Sequence, residues 1–167
     1  MLARSGVNPR TAMELMRHSD IRLTTNIYQH LELVDTAGAV NVGSVLTVDA
    51  ISHTGAFCGG AIAPGPRMML AALHQQVETL PEVVMSDPPP GFGRNTADAI
   101  RSGVYWGTVA VAEKLINKVG GEAIGGNRLF FTGQDGEWLG KALGMRHEYI
   151  PVLALEGLAL AAGKGRS

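Results

Sequence analysis

Cysteine is nearly missing from this chain. Of 167 residues only Cys58 carries a thiol, so an internal disulfide is excluded and a reducing, cytoplasmic setting is expected. Charge of one sign is missing too. Fourteen Lys and Arg against fifteen Asp and Glu give a formal net charge of −1 and a pI near 6.5. That leaves no basic field for nucleic acid and no polybasic patch for a membrane. No apolar run reaches the roughly 18 residues that span a bilayer. The start, Met1-Leu2-Ala3-Arg4-Ser5-Gly6, lacks the apolar stretch of a signal peptide. His53, His74 and His147 show no metal-ligand spacing. What is present is 46% apolar and 17% charged residues, a composition that folds around a core. The 22 glycines predict many tight turns between short elements. The length suits one domain, or a small one with an appendage.

Residues 1–39 read as two short helices and a junction. Asn8-Pro9 is an N-cap followed by a first helical residue, and Ala12, Leu15 and Met16 share a face up to Arg17. His18-Ser19-Asp20 breaks that helix, and Ser19 or Asp20 caps a second one carrying Ile21, Leu23, Ile27, Tyr28 and Leu31. Such a pair buries little by itself. Thr36-Ala37-Gly38-Ala39 is small, weakly patterned and reads as the junction. Leu2-Ala3-Arg4-Ser5-Gly6-Val7, then Glu14-Leu15-Met16-Arg17-His18-Ser19-Asp20 and Thr24-Thr25-Asn26-Ile27-Tyr28-Gln29-His30-Leu31, resembles over residues 1–35 the C-terminal end of a tyrosine recombinase of the phage-integrase type. The resemblance implies that His18 positions a scissile phosphate and that Tyr28 is the nucleophile, a phenol oxygen attacking phosphorus. Arg17 stands where that family usually has Gly. Its two arginines, its lysine and a further His or Lys have no counterpart here, so DNA is not an expected partner.

Residues 40–86 are organised by Gly59-Gly60-Ala61-Ile62-Ala63-Pro64-Gly65-Pro66-Arg67-Met68-Met69. Two glycines permit close backbone approach, and Pro66 is placed to open a helix running Arg67 to Val77. Before it, Val45 to Ile51 is apolar on both faces and predicts a buried strand. Ser52 to Gly55 predicts a turn, and Ala56 to Ile62 the return strand of a hairpin. Strand, tight turn and helix start form a usual setting for a ligand in an α/β protein.

After the loop Asp87-Pro88-Pro89-Pro90-Gly91, Asn95 or Thr96 caps a long helix with Asp98 in its first turn. Ile100, Val104, Val111, Leu115 and Val119 are its expected apolar stripe. Ala99, Gly103, Gly107 and Ala110 form a second, small-residue face for close packing on the sheet or a partner helix. Leu129-Phe130-Phe131-Thr132-Gly133-Gln134 is a strand ending in a turn, and a helix follows at about Trp138 to Leu143.

Asn41-Val42-Gly43-Ser44-Val45-Leu46-Thr47-Val48-Asp49, the Gly59–Gly65 stretch, Gly93-Arg94-Asn95-Thr96, Thr132-Gly133 and Leu155-Glu156-Gly157-Leu158 stand in the order seen in type III pantothenate kinase, which residues 40–167 resemble. The resemblance implies an α/β, RNase-H-like lobe of the actin-like/sugar-kinase superfamily, here the C-terminal lobe, with residues 1–39 as two helices in front. It implies ATP-dependent phosphorylation of pantothenate, the first step of coenzyme A synthesis, with Mg2+ and K+ or NH4+, in a homodimer or self-associated form without membrane contact. It assigns Gly43, Ser44, Thr47, Gly59, Gly60, Thr132 and Gly133 to nucleotide and substrate. Asn41 stands where the family has a cation-binding Asp, which weakens that site by losing a charge. Val77 replaces a Thr that often meets pantothenate. The first Asp-x-Gly-Asn-Thr phosphate loop and the Gly-x-Asp-Arg segment bearing the general base have no counterpart in these residues. A truncated kinase with little or no activity is therefore expected; DNA strand transfer through Tyr28, or a non-catalytic product of gene rearrangement, is the alternative.

Overall fold

The computed structural model describes residues 37–52, 56–85, 88–89, 91–123 and 128–153. The expected helices of residues 1–36, with His18 and Tyr28, and the expected Leu155–Leu158 helix lie outside these.

Five strands make one sheet in the order β3-β2-β1-β4-β5. They are β1 (Ala37–Val42), β2 (Val45–Ile51), β3 (Phe57–Pro64), β4 (Arg128–Thr132) and β5 (Glu148–Tyr149). β1, β2 and β3 form an antiparallel meander. β1, β4 and β5 run parallel. Three helices complete the described fold: α1 (Pro66–Gln76), α2 (Thr96–Ala123) and α3 (Gly136–Leu143). Parallel neighbours need a crossover, and α2 supplies it by carrying the chain from the β3 edge past β1 to β4.

Ala37-Gly38-Ala39 is not a junction but the first half of the central strand. Ala39 is buried between Asp49 of β2 and Phe130 of β4. Neither Ala nor Gly favours strands intrinsically, so the pairing on both sides makes this segment extended, and local pattern could not show it. A boundary after residue 39 would cut through β1.

β2 also departs from expectation, because its two faces differ. Leu46, Val48 and Ala50 are buried, whereas Thr47 and Asp49 are half-buried and Val45 is exposed. Leu46 and Val48 meet Val40, Val42 and Phe131 of the sheet, Ala112 and Ile116 of α2, and Leu139 of α3. Both helices therefore cover the same face. The return strand runs on to Pro64, with a register shift between Ala50 and Ile51 where Gly59 takes a φ of 131°.

Helix starts follow local chemistry. Pro66 opens α1 after Gly65. Asn95 caps α2: its Oδ1 accepts from the Asp98 N–H at 2.9 Å, and its Nδ2 donates to Asp98 Oδ2 at 2.7 Å. The expected α2 stripe holds at Ile100 and Val104, which are buried, and at Leu115 and Val119, which pack half-buried against the core, but not at Val111, which is exposed; Thr108, Ala112 and Ile116 are buried as well. Ala112 is buried in the same cluster as Leu46 and Val48 of β2, where its small side chain suits close packing of the long helix on the sheet. Thr108 satisfies its buried hydroxyl by donating to the Val104 carbonyl at 2.7 Å. The small-residue face is not against the sheet either: Ala99, Gly103 and Ala110 are exposed. Among the described residues no helix is long and apolar enough to cross a membrane.

Two truncations separate the expected stripe from the observed one. Ile116→Ala is expected to cost about 2–4 kcal/mol in urea unfolding, and Val111→Ala less than about 0.5 kcal/mol. Equal costs would contradict this packing.

Candidate functional site

Three chain reversals meet at one edge of the sheet. β1 turns into β2 at Gly43-Ser44, β3 leads through Gly65 into α1, and β4 leads through Gly133-Gln134-Asp135 into α3. The parallel strands β1 and β4 both present their carboxyl ends there, the usual place for ligands in open α/β sheets.

Register lines up the polar residues at this edge. Asn41 pairs with Thr47 on one side and with Thr132 on the other, and Thr47 pairs with Ile62. Directly paired residues project to the same face, so Thr47, Asn41 and Thr132 form a row across three strands spaced about 4.8 Å apart. This is the face opposite the α2 and α3 core. Thr132 is buried, Asn41 and Thr47 are half-buried, and Ile62 beyond them is 74% exposed.

Two glycines hold the turns around this row. Gly133 has a φ of 82°, and a Cβ there would strike Asn41 Oδ1 and the Val42 carbonyl. A Cβ on Gly65 would strike Gly43 O and Ser44. Backbone bonds stitch the reversals together. The Gly65 N–H donates to Ser44 O at 2.9 Å, Gly43 N–H to Val45 O at 3.2 Å, and Asp135 N–H to Val42 O at 3.1 Å. The Tyr149 hydroxyl donates to Gly133 O at 3.1 Å.

Of the residues expected in a site, Asn41, Gly43, Ser44, Thr47, Thr132 and Gly133 come together here. Gly59 and Gly60 do not join them. Gly60 lies opposite Asp49, one row further along, where a Cβ would meet Asp49 Oδ1. Gly59 lies opposite Ala50 at the bulge. His18 and Tyr28 fall outside the described residues. His74 donates from Nδ1 to Leu80 O at 2.9 Å, and His147 from Nδ1 to Met145 O at 2.7 Å. Among the described residues no group of three or more His, Cys, Asp or Glu is arranged to hold a metal ion.

Sequence reasoning missed one pair at this edge. Arg67, at the start of α1, sets its Nε 3.3 Å from Asp135 Oδ2, just before α3. That carboxylate oxygen is buried and has no hydrogen-bond partner, so the contact is an ion pair without hydrogen-bond alignment. A Pro66-Arg67 helix start and an Asp after a Thr-Gly turn are visible separately, but nothing local links residues so far apart. A second feature holds no titratable group: an apolar groove of about 730 Å3 between α1 and α2, lined by Met69, Leu73, Val77, Ile100, Gly103 and Val104 among others.

The sheet order, with β2 antiparallel to its two neighbours and β1, β4 and β5 parallel, defines an RNase-H-like α/β lobe. Solved structures share this fold. A Baf family transcriptional activator from Campylobacter jejuni superposes with a TM-score of 0.56 at 22% identity, covering 95% of this chain and 80% of that one. An activator of 2-hydroxyisocaproyl-CoA dehydratase from Clostridium difficile, solved with bound ADPNP, gives 0.55 at 11% identity over 90% and 70%. The chain belongs to the type III pantothenate kinase family, whose pattern matches residues 24–118. A type III pantothenate kinase from Gluconobacter oxydans is 35% identical over 125 residues, 75% of this chain and 46% of the relative. One from Acidiphilium cryptum is 30% identical over 165 residues, 97% of this chain and 62% of the relative. The chain thus spans about half the length of the curated relatives it matches.

Gly133→Ala tests the turn geometry. The left-handed backbone alone costs about 1–3 kcal/mol, and displacement of Asn41 adds to it. A melting temperature within a degree or so of the parent would contradict the close approach.

Proposed function

We propose that this chain forms one wall of a pantothenate kinase cleft, where the Thr47–Asn41–Thr132 row and the Gly43 and Gly133 turns receive ATP and pantothenate for phosphoryl transfer. The observation that carries the reading is the convergence of those residues at the carboxyl ends of β1 and β4 in a chain of this family. Phosphoryl transfer asks a protein for positioning and charge neutralisation more than for covalent chemistry. Hydroxyls and backbone N–H groups at such an edge supply the positioning. The C. difficile protein of like fold was solved with bound ADPNP, which supports a nucleotide as a ligand for this fold.

The row offers an amide and two hydroxyls, all neutral oxygens. That set fits a weakly held K+ or NH4+ better than a divalent ion, with Asn41 as the ligand. Mg2+ enters with the ATP phosphates, which with water supply most of its ligands. The chain by itself is proposed to bind nucleotide with little turnover, since it spans about half of its relatives' length.

Calorimetric titration is expected to show ATP binding that Thr132→Ala weakens about tenfold, the scale of one hydrogen bond to a charged group. An ATP-and-pantothenate assay is expected to show little product. No binding by the parent chain would sink the nucleotide reading, and family-like turnover lost in Thr132→Ala would sink the inactivity. A covalent DNA adduct absent from Tyr28→Phe would carry the strand-transfer alternative instead.

A second copy of the chain is the partner proposed for α2. Its exposed Ala99, Gly103 and Ala110 lie beside Trp106 and Val111, both large and exposed, and a Cβ on Gly103 would meet nothing within 4 Å. Light scattering is expected to give a dimer, and Gly103→Leu a monomer. A monomeric parent would remove this partner.

A further inference from the structure

We infer that the Arg67–Asp135 ion pair is a clamp that sets the position of the Gly43-Ser44 turn, and that both residues are positioning residues for whatever that turn binds. The inference rests on the nucleotide reading of the turn for its functional consequence, though not for its geometry.

The Gly43-Ser44 turn has a neighbour on each side. On one, Gly65 packs so tightly that no Cβ fits against Gly43 O and Ser44, and its N–H donates to Ser44 O. On the other, Gly133 packs as tightly against Asn41 and Val42, and the Asp135 N–H donates to Val42 O. These contacts come from two turns joined to each other by no backbone pairing, since β3 and β4 stand on opposite sides of β1 with β2 between β3 and β1. Arg67 lies two residues after Gly65, and Asp135 two residues after Gly133. Their side chains close the ring from α1 to the start of α3 at 3.3 Å. The turn is thereby held between two walls whose spacing the ion pair fixes.

The environment suits this role. The Asp135 side chain is 16% exposed and its Oδ2 has no hydrogen bond, so the guanidinium is what compensates that buried charge. Arg67 is 47% exposed and keeps the rest of its guanidinium in water. An ion pair so exposed on one side adds little to global stability. Its consequence is local, on the separation of two turns. Asp135 does not cap α3 through its side chain, so the usual local use of an Asp at a helix start is not what occupies this carboxylate.

The test is a double-mutant cycle on the full chain with Arg67→Ala, Asp135→Asn and the double variant, together with Arg67→Lys as the conservative replacement. Amide hydrogen exchange is read at Gly43 and Gly65, with Val48 in the middle of β2 as the reference. Each single variant is expected to speed exchange at the two glycines about fivefold relative to Val48, and the double variant no further, the non-additivity of contacting residues. Arg67→Lys is expected to restore most of the protection. If the parent binds ATP, the same variants weaken it in the same non-additive order, with Arg67→Lys near the parent. If the parent does not bind ATP, the nucleotide reading fails while the exchange result still decides the clamp. Additive effects, or equal acceleration at Val48, would overturn the clamp and leave the pair a general stabiliser. Unchanged exchange at both glycines would overturn it outright.

Discussion

β1 is held by two different kinds of pairing, antiparallel to β2 on one side and parallel to β4 on the other. Its alternation then divides the molecule. Val40 and Val42 point into the core under α2 and α3, and Asn41 between them points the opposite way, into line with Thr47 and Thr132. A slip of one residue would exchange these roles, burying an amide and exposing two valines. The candidate site is therefore fixed by the same register that fixes the core. Burial of Val40 and Val42, each 0% exposed, is what holds Asn41 in place.

Around this strand the turns are built from residues that leave room. Gly65 and Gly133 press against the end of β1 and the turn after it, where any side chain would collide. Tyr149 anchors the Gly133 carbonyl from the core side. Packing, hydrogen bonding and an ion pair thus converge on a short stretch of backbone, Asn41 to Val45. Rigid support of this kind is what a site needs when its chemistry is positioning.

Much of this was legible in the sequence where local rules decide. The Asn95 cap, the Pro66 helix start, the hairpin of β2 and β3, and the strand before Thr132-Gly133 each follow from residue chemistry within a few positions. What was not legible depends on partners distant in sequence. Ala37-Gly38-Ala39 has no strand propensity and becomes a strand only because β2 and β4 flank it. The apolar look of β2 hid the difference between Leu46 and Val45. On α2, Val111 fits a helical stripe as well as Ala112 does, and only the close approach to β2 chooses the smaller residue. The placement of Gly59 at a bulge and of Gly60 opposite Asp49 depends on pairing with β2. The Arg67–Asp135 pair joins residues from different thirds of the chain, beyond any local pattern.

We propose that the edge formed by Gly43, Thr47 and Gly133 faces nucleotide. Amide chemical-shift mapping of the full chain during titration with Mg-ATP tests it most directly. The expected result is a set of perturbations concentrated at Gly43, Ser44, Thr47 and Gly133, with the apolar groove at Leu73 and Val104 unmoved. Perturbations centred on that groove, or none at the sheet edge at saturating nucleotide, would contradict the account.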